Sequence, residues 1–169
     1  RLSRALGDFE RMARICLPLQ EARRQKRLLA EGAANSGGCV VLKGVASGSE
    51  WMKPGCYLLQ PPAIGADARA LRERFDAARV PAAILTREPM TRLGRWPVVA
   101  VGQRWAGGAS SVRTQVDPPA GVERDESAMT HDRLTAPVPL EWFLSAGEAL
   151  GDEGVARLKP RAPAVGRVD

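Results

Sequence analysis

Short apolar segments alternate with one clear helical pattern in the middle of the chain. Residues 66–79 carry apolar side chains at three- and four-residue spacing (Ala68, Leu71, Phe75 and Ala78), which predicts an amphipathic helix. Apolar runs of strand length lie on both sides of it, and another follows a basic turn. The predicted strands cover residues 39–44, 56–60, 82–86 and 98–102.

This strand–helix–strand order predicts an α/β fold with a small mixed sheet covered by helices, an N-terminal helix and an extended C-terminal arm. A right-handed crossover through the helix would make strands 56–60 and 82–86 parallel. The predicted core consists of Leu71, Phe75, Ile84, Leu85, Val99 and Val101.

Residues 1–31 also follow a helical pattern, with an apolar stripe and a basic second half. The stripe consists of Leu2, Leu6, Phe9, Met12, Ile15 and Leu19. Pro18 should kink or divide this helix, and Gly32 should close it. The basic cluster Arg23, Arg24, Lys26 and Arg27 has two interpretations, a solvated face or a face that contacts phosphates.

The character of the sequence divides the chain into three segments. Residues 1–34 form the basic helical segment, 35–116 the small α/β body, and 117–169 an extended arm. The arm is polar and contains several prolines, with one short amphipathic helix predicted over residues 140–150. Such a segment is typical either of an arm along a large assembly or of a disordered tail.

The charge is distributed unevenly along the chain. Residues 1–116 carry 19 Lys and Arg against 9 Asp and Glu, a balance of +10, whereas residues 117–169 carry 6 against 10, a balance of −4. Most of the basic residues are Arg, whose planar guanidinium suits phosphate. A GC-rich gene would also favour Arg, so the composition supports an anionic partner only weakly.

Catalytic and metal-binding patterns are absent from the sequence, which predicts a protein that is not an enzyme and has no cofactor. Cys16, Cys39 and Cys56 are widely spaced without a CxxC pair, and the single histidine, His131, lies in a polar stretch. Reduced, mostly buried thiols are the expected state. No apolar run approaches the length of a membrane span.

Residues 56–105 resemble the ribosomal stalk-base protein family of the large subunit. The segments "CYLLQ", "LRERFDAARVPAAIL", "TREPMTRL" and "RWPVVAVG" follow the family's order of strand, helix, strand, basic helical segment and strand. The resemblance implies a structural, rRNA-contacting protein at or near the stalk base. Its implied partners are rRNA, neighbouring ribosomal proteins and the acidic stalk proteins, with no membrane and no small-molecule substrate.

The resemblance also gives a position for the RNA contact, because residues 86–96 match the family's RNA-facing segment. Together with the helical cluster, the candidate RNA-binding residues are Arg23, Arg24, Lys26, Arg27, Arg87, Arg92 and Arg95. The chain begins at Arg1 and has a proline-containing arm, from which we expect a mitochondrial protein that follows a cleaved presequence.

Two other functions stay open at this level. Residues 56–85 also resemble the first half of a peptidoglycan-binding SPOR domain, which should then continue with a second helix and strand after residue 102. A subunit of another large assembly without nucleic-acid contact is the third possibility. Co-sedimentation with ribosomes, binding to glycan strands, or neither would distinguish these three.

Overall fold

A computed structural model of the chain describes residues 7–35, 38–44, 50–105, 108–124, 132–134 and 136–157. Within them, three helices are present, α1 (Phe9–Ala34), α2 (Gly65–Ala77) and α3 (Leu140–Ala156). The strands are β1 (Val40–Lys43), β2 (Gly55–Gln60), β3 (Ala82–Arg87), β4 (Trp96–Trp105), β5 (Gly108–Val116), β6 (Val122–Arg124) and β7 (Asp132–Leu134).

Strands β1 to β5 form one mixed sheet in the order of the sequence. β1, β2 and β3 run parallel, and β4 and β5 each run antiparallel to the preceding strand. β6 and β7 form a separate two-stranded antiparallel ribbon. The predicted small α/β fold with helices on a mixed sheet is therefore confirmed, as is the parallel pairing of the strands on either side of α2.

Helix α2 covers one face of the sheet. Successive strand residues point to opposite faces, and Tyr57 and Leu59 point to the face where Leu71 and Phe75 of α2 are fully buried. The helix begins where the Asp67 carboxylate accepts a hydrogen bond of 2.8 Å from the backbone N–H of Ile64. The apolar stripe predicted from the sequence therefore packs on the sheet.

The first residue of α2, Gly65, lies too close to β4 for any side chain. A Cβ atom placed there would be 2.6 Å from Cγ2 of Val101 and 3.2 Å from Cγ1 of Val99. We expect Gly65→Ala to lower the free energy of unfolding by about 1–3 kcal/mol, because the helix has to move away from the strand. Urea denaturation measures this change in the free energy of unfolding.

Gly151 provides the matched control for that experiment. It lies within α3, and a Cβ atom there would meet nothing within 4 Å. Gly151→Ala should raise the free energy of unfolding by about 0.5–1 kcal/mol through helix propensity alone. An equal response of the two variants would contradict the close approach of α2 to β4.

Helix α3 covers the opposite face of the sheet, which departs from the extended arm predicted for residues 117–169. Phe143, Ala146 and Leu150 are buried in this second layer. They pack in one cluster with sheet residues of β2, β3 and β4, namely Cys56, Leu58, Leu85, Trp96 and Val98. The amphipathic pattern at 140–150 therefore belongs to the body, since its apolar face meets the chain's own sheet. The predicted tail, residues 158–169, lies outside the described residues.

Two further details of the predicted body differ from the structure. Leu85 packs under α3 and not with Phe75, because it alternates with Ile84 along β3. Strand β5 lies in a stretch rich in Gly and Ser where no strand was predicted; it pairs with β4 over most of its length.

Helix α1 is continuous where the sequence predicted a break. Pro18 lies inside it, and the loss of a single backbone hydrogen bond leaves only the exposed carbonyl of Arg14 to water. Gly32 also lies within the helix, which ends at Ala34 and is capped by Asn35. The last turns contact β2 and β3, with Ala30 and Ala34 buried.

The first half of α1 extends past the sheet. Most of its apolar residues, including Phe9 (76% exposed), Ile15 and Leu19, are exposed to solvent, whereas Met12 is partly buried. The apolar stripe predicted there exists from Phe9 onwards, but within the described residues it has no packing partner. Leu2 and Leu6 lie outside the described residues.

Candidate nucleic-acid interface

The basic cluster of α1 borders a groove between α1 and α2. The groove has a volume of about 720 Å³, and its floor consists of the first residues of β3, Ala82 to Ile84. Basic side chains from both helices line it: Arg23, Lys26 and Arg27 from α1, and Arg72 from α2. Two acidic side chains, Glu73 and Asp76, also line it, so the described lining residues carry a net charge of +2.

The position of the groove follows from how α1 ends. The helix is fixed to the sheet only through its last turns, where Ala30 is fully buried. The preceding turn carries the basic cluster, which therefore lies beside α2. Lys26 makes an ion pair with Asp76 that connects the two helices across the groove.

Several of the predicted basic residues form ion pairs with acidic neighbours. Arg24 donates two hydrogen bonds of 2.8 Å to Glu21, and the hydrogen bonds from Arg24 and then Gln25 lower the pKa of Glu21 to about 2. Arg27 lies 3.2 Å from a carboxylate oxygen of Glu31. Exposed pairs of this kind contribute little to stability, but they reduce the charge available to an anionic ligand.

Arg23 and Arg72 are different, because both are exposed and neither makes an ion pair with any described residue. Asp76 lies one helical turn after Arg72 but pairs with Lys26 instead. Arg72 was not among the predicted RNA-binding residues. Two guanidinium groups on the lining thus remain available for phosphate.

The second predicted cluster, in the turn after β3, is not brought together at the surface. Arg87 is only 2% exposed. Its guanidinium stacks 4.2 Å above the ring of Trp96 and donates a hydrogen bond of 2.9 Å to Oε1 of Gln60. Arg87 is therefore a core residue and not an RNA contact, because it alternates with Thr86 on β3 and points to the face under α3.

The other two turn arginines differ from each other. Arg95 donates two hydrogen bonds, of 3.0 and 3.2 Å, to the carboxylate of Asp117 at the end of β5. Arg92 is exposed and makes no ion pair with a described residue. Of the three predicted turn contacts, Arg92 alone has the exposure and the unneutralised charge that phosphate binding needs.

The described residues offer little material for catalysis or metal binding. No group of three or more His, Cys, Asp or Glu side chains that could hold a metal ion occurs among them. His131 lies outside the described residues, so the only histidine contributes to no observed site. In the part of the chain that the structure describes, no helix is both long and apolar enough to cross a bilayer. The absence of enzymatic activity stays a prediction.

Comparison with known proteins gives this chain no relatives: no family model, no curated protein and no solved structure matches it. Its function therefore has to be inferred from its own residues.

Proposed function

We propose that this chain is a non-catalytic structural subunit that binds RNA phosphates in the groove between α1 and α2. The observation that carries the proposal is the pair of exposed arginines, Arg23 and Arg72, which have no ion pair with a described residue, in a groove whose lining is net positive. Arg binds phosphate oxygens through parallel hydrogen bonds. Each neutralised phosphate releases counterions, which drives binding without any chemical step.

The composition of the groove favours the RNA backbone over the bases as the bound group. None of the described residues that line it carries an aromatic side chain on which a base could stack. The floor of Ala82, Ala83 and Ile84 provides small apolar side chains beneath the charged rim. Contacts of this kind position an RNA without reading its sequence.

We further propose that the RNA is the rRNA of a large ribosomal subunit, at or near the stalk base, in mitochondria. The resemblance of residues 56–105 to the stalk-base family supports this assembly, and β2, α2, β3 and β4 follow each other in the family's order. One part departs from it: residues 88–95 form a turn where the family pattern implies a basic helix. Neighbouring ribosomal proteins would contact the other surfaces.

The proposal does not include carriage of acidic stalk dimers. The amphipathic helix α3 does not present a free apolar face for them, because it buries Phe143 and Leu150 against its own sheet. The peptidoglycan-binding alternative expects a helix and then a strand after β4. The described chain instead continues with β5, and α3 follows only later.

Salt dependence of RNA binding tests the groove. We expect the double variant Arg23→Gln/Arg72→Gln to bind a large-subunit rRNA transcript more weakly. The slope of log K against log salt concentration should become shallower by about 1.4–1.8, since each lost phosphate contact contributes about 0.7–0.9. Filter binding over a range of potassium chloride concentrations measures both quantities.

The matched control removes the same charge elsewhere. Arg11 and Arg79 are also exposed and make no ion pair with a described residue, and neither lines the groove. Arg11→Gln/Arg79→Gln should leave most of the slope intact. Equal effects of the two double variants would show that only net charge matters and would exclude the groove as the binding site.

The assembly is tested separately with the unmodified chain. Co-sedimentation with mitochondrial large ribosomal subunits supports the ribosomal assignment. Binding to purified glycan strands, or recovery free of both glycan and rRNA, contradicts it in favour of the alternatives described above.

A further inference from the structure

Two cysteines that are distant in sequence lie side by side in the sheet. Cys39 and Cys56 are 17 positions apart, and β1 pairs with β2 so that Val40 lies opposite Tyr57. Continuing this register back by one residue places Cys39 opposite Cys56. Both side chains belong to the apolar cluster under α3, where Cys39 is 7% exposed and Cys56 is fully buried.

The two thiols are in contact with each other. A hydrogen bond between them is the largest influence on both of their pKa values. This hydrogen bond lowers the pKa of Cys56, whereas the proton held in it and burial raise the pKa of Cys39. The two thiols therefore titrate as a pair, in which the remaining S–H group stabilises the first thiolate to form.

The register also satisfies the main distance requirement of a disulfide. Neighbouring strands lie about 4.8 Å apart, and the Cα atoms of disulfide-bonded cysteines lie about 4.4–6.8 Å apart. Cys39 precedes a four-residue strand at the edge of the sheet, and a backbone bridge to Val138 holds it there. Formation of the bond requires the two sulfurs to approach to about 2.05 Å.

We propose that Cys39 and Cys56 form a reversible intramolecular disulfide that fastens the edge strand β1 to β2. This inference is independent of RNA binding, because neither cysteine lines the groove between α1 and α2. The pair is reduced in the structure. It is a site of oxidative modification that the wide spacing of the cysteines in the sequence does not reveal.

The oxidant is a low-molecular-weight disulfide. The thiolate formed by one cysteine of the pair attacks one sulfur of the oxidant, whose S–S bond breaks and releases a first thiolate. The other cysteine then loses its proton and attacks the protein sulfur of this mixed disulfide, which expels the second thiolate. The two cysteines are oxidised by two electrons, and the oxidant is reduced to two thiols that take up the two protons.

Burial of the thiols determines how fast the disulfide forms. Because Cys56 is fully buried, the reaction requires transient opening of β1, which is short and lies at the sheet edge. Cys16 is exposed on α1 and should react much faster. Modification of Cys16 therefore shows, within the same sample, that the oxidant is active.

The experiment uses the full chain carrying Cys16→Ser, incubated with oxidised glutathione. After denaturation and alkylation, we expect the protein to have lost the mass of two hydrogen atoms and to take up no alkyl group. Peptide mapping should find the Cys39 and Cys56 peptides linked. The apparent melting temperature should rise by roughly 5–10 °C, because the bond closes a loop in the unfolded chain.

The unmodified chain and a second variant complete the test. In the unmodified chain, Cys16 should acquire glutathione first. Cys39→Ser should prevent the loss of hydrogen, and this readout does not require the variant to keep its full stability. Two outcomes would overturn the proposal: Cys39 and Cys56 both still alkylated while Cys16 of the unmodified chain carries glutathione, or a link between different molecules.

Discussion

Removal of α3 should abolish the cooperative unfolding transition of this protein. A chain ending at Pro139 loses Phe143 and Leu150, whose burial contributes about 3–6 kcal/mol. It also exposes Leu58 and Val98, which α3 covers. The combined loss is comparable with the roughly 5–15 kcal/mol that holds a domain folded. Near-UV circular dichroism during urea titration should show no transition.

A chain ending at Arg157 is the comparison for that truncation, because the two chains differ only by α3 and its C-cap, Arg157. Any difference between them therefore reports the helix and not the residues that follow it. If both chains unfold at the same urea concentration and with the same slope, α3 does not complete the core and residues 140–156 belong to an arm.

Phe75→Ala should lower the free energy of unfolding by about 3–5 kcal/mol. The ring is fully buried, with its centroid 4.9 Å from that of Tyr57 and 5.9 Å from that of Trp51. Truncation leaves a cavity between α2 and the sheet and removes both aromatic contacts. Urea denaturation followed by tryptophan fluorescence measures the change.

Arg72→Ala serves as the control on the same helix. Its side chain is exposed, so the free energy of unfolding should change by no more than about 0.5 kcal/mol. A cost below about 1 kcal/mol for Phe75→Ala would mean that α2 presents a different face to the sheet.

The unit β2–α2–β3 was predictable because local patterns determine it. The spacing of Leu71 and Phe75 allows one helical face, and the apolar runs at 56–60 and 82–86 have the length of strands. Their parallel pairing follows from the handedness of the crossover. No residue from outside this unit is needed to derive it.

The role of α3 was not predictable from its own residues. An amphipathic helix fits the chain's own sheet and a partner's groove equally well, and the intervening polar stretch from residue 117 favoured a separate arm. The sheet surface that α3 covers is assembled from β2, β3 and β4. Only the register of these strands shows that this surface has room for Phe143 and Leu150.

The candidate site was predicted in part, for a similar reason. The basic cluster on α1 was visible in the sequence, but its neutralisation was not, since Lys26 pairs with Asp76 from a distant helix. Arg87 was expected at the surface because of its charge. Its burial depends on Gln60 and on the ring of Trp96, which the fold brings to it from two other strands.

The sequential order of the five strands has a consequence for synthesis on the ribosome. Each strand can pair with the one made just before it, so the sheet can grow as the chain emerges. The second face of the sheet stays uncovered until α3 has been synthesised, however, since α3 lies after residue 139. Until then Leu58, Leu85 and Val98 present an uncovered apolar layer on the nascent chain. During that interval we expect chaperones that bind exposed apolar surface to hold the nascent chain, and release should coincide with the emergence of α3.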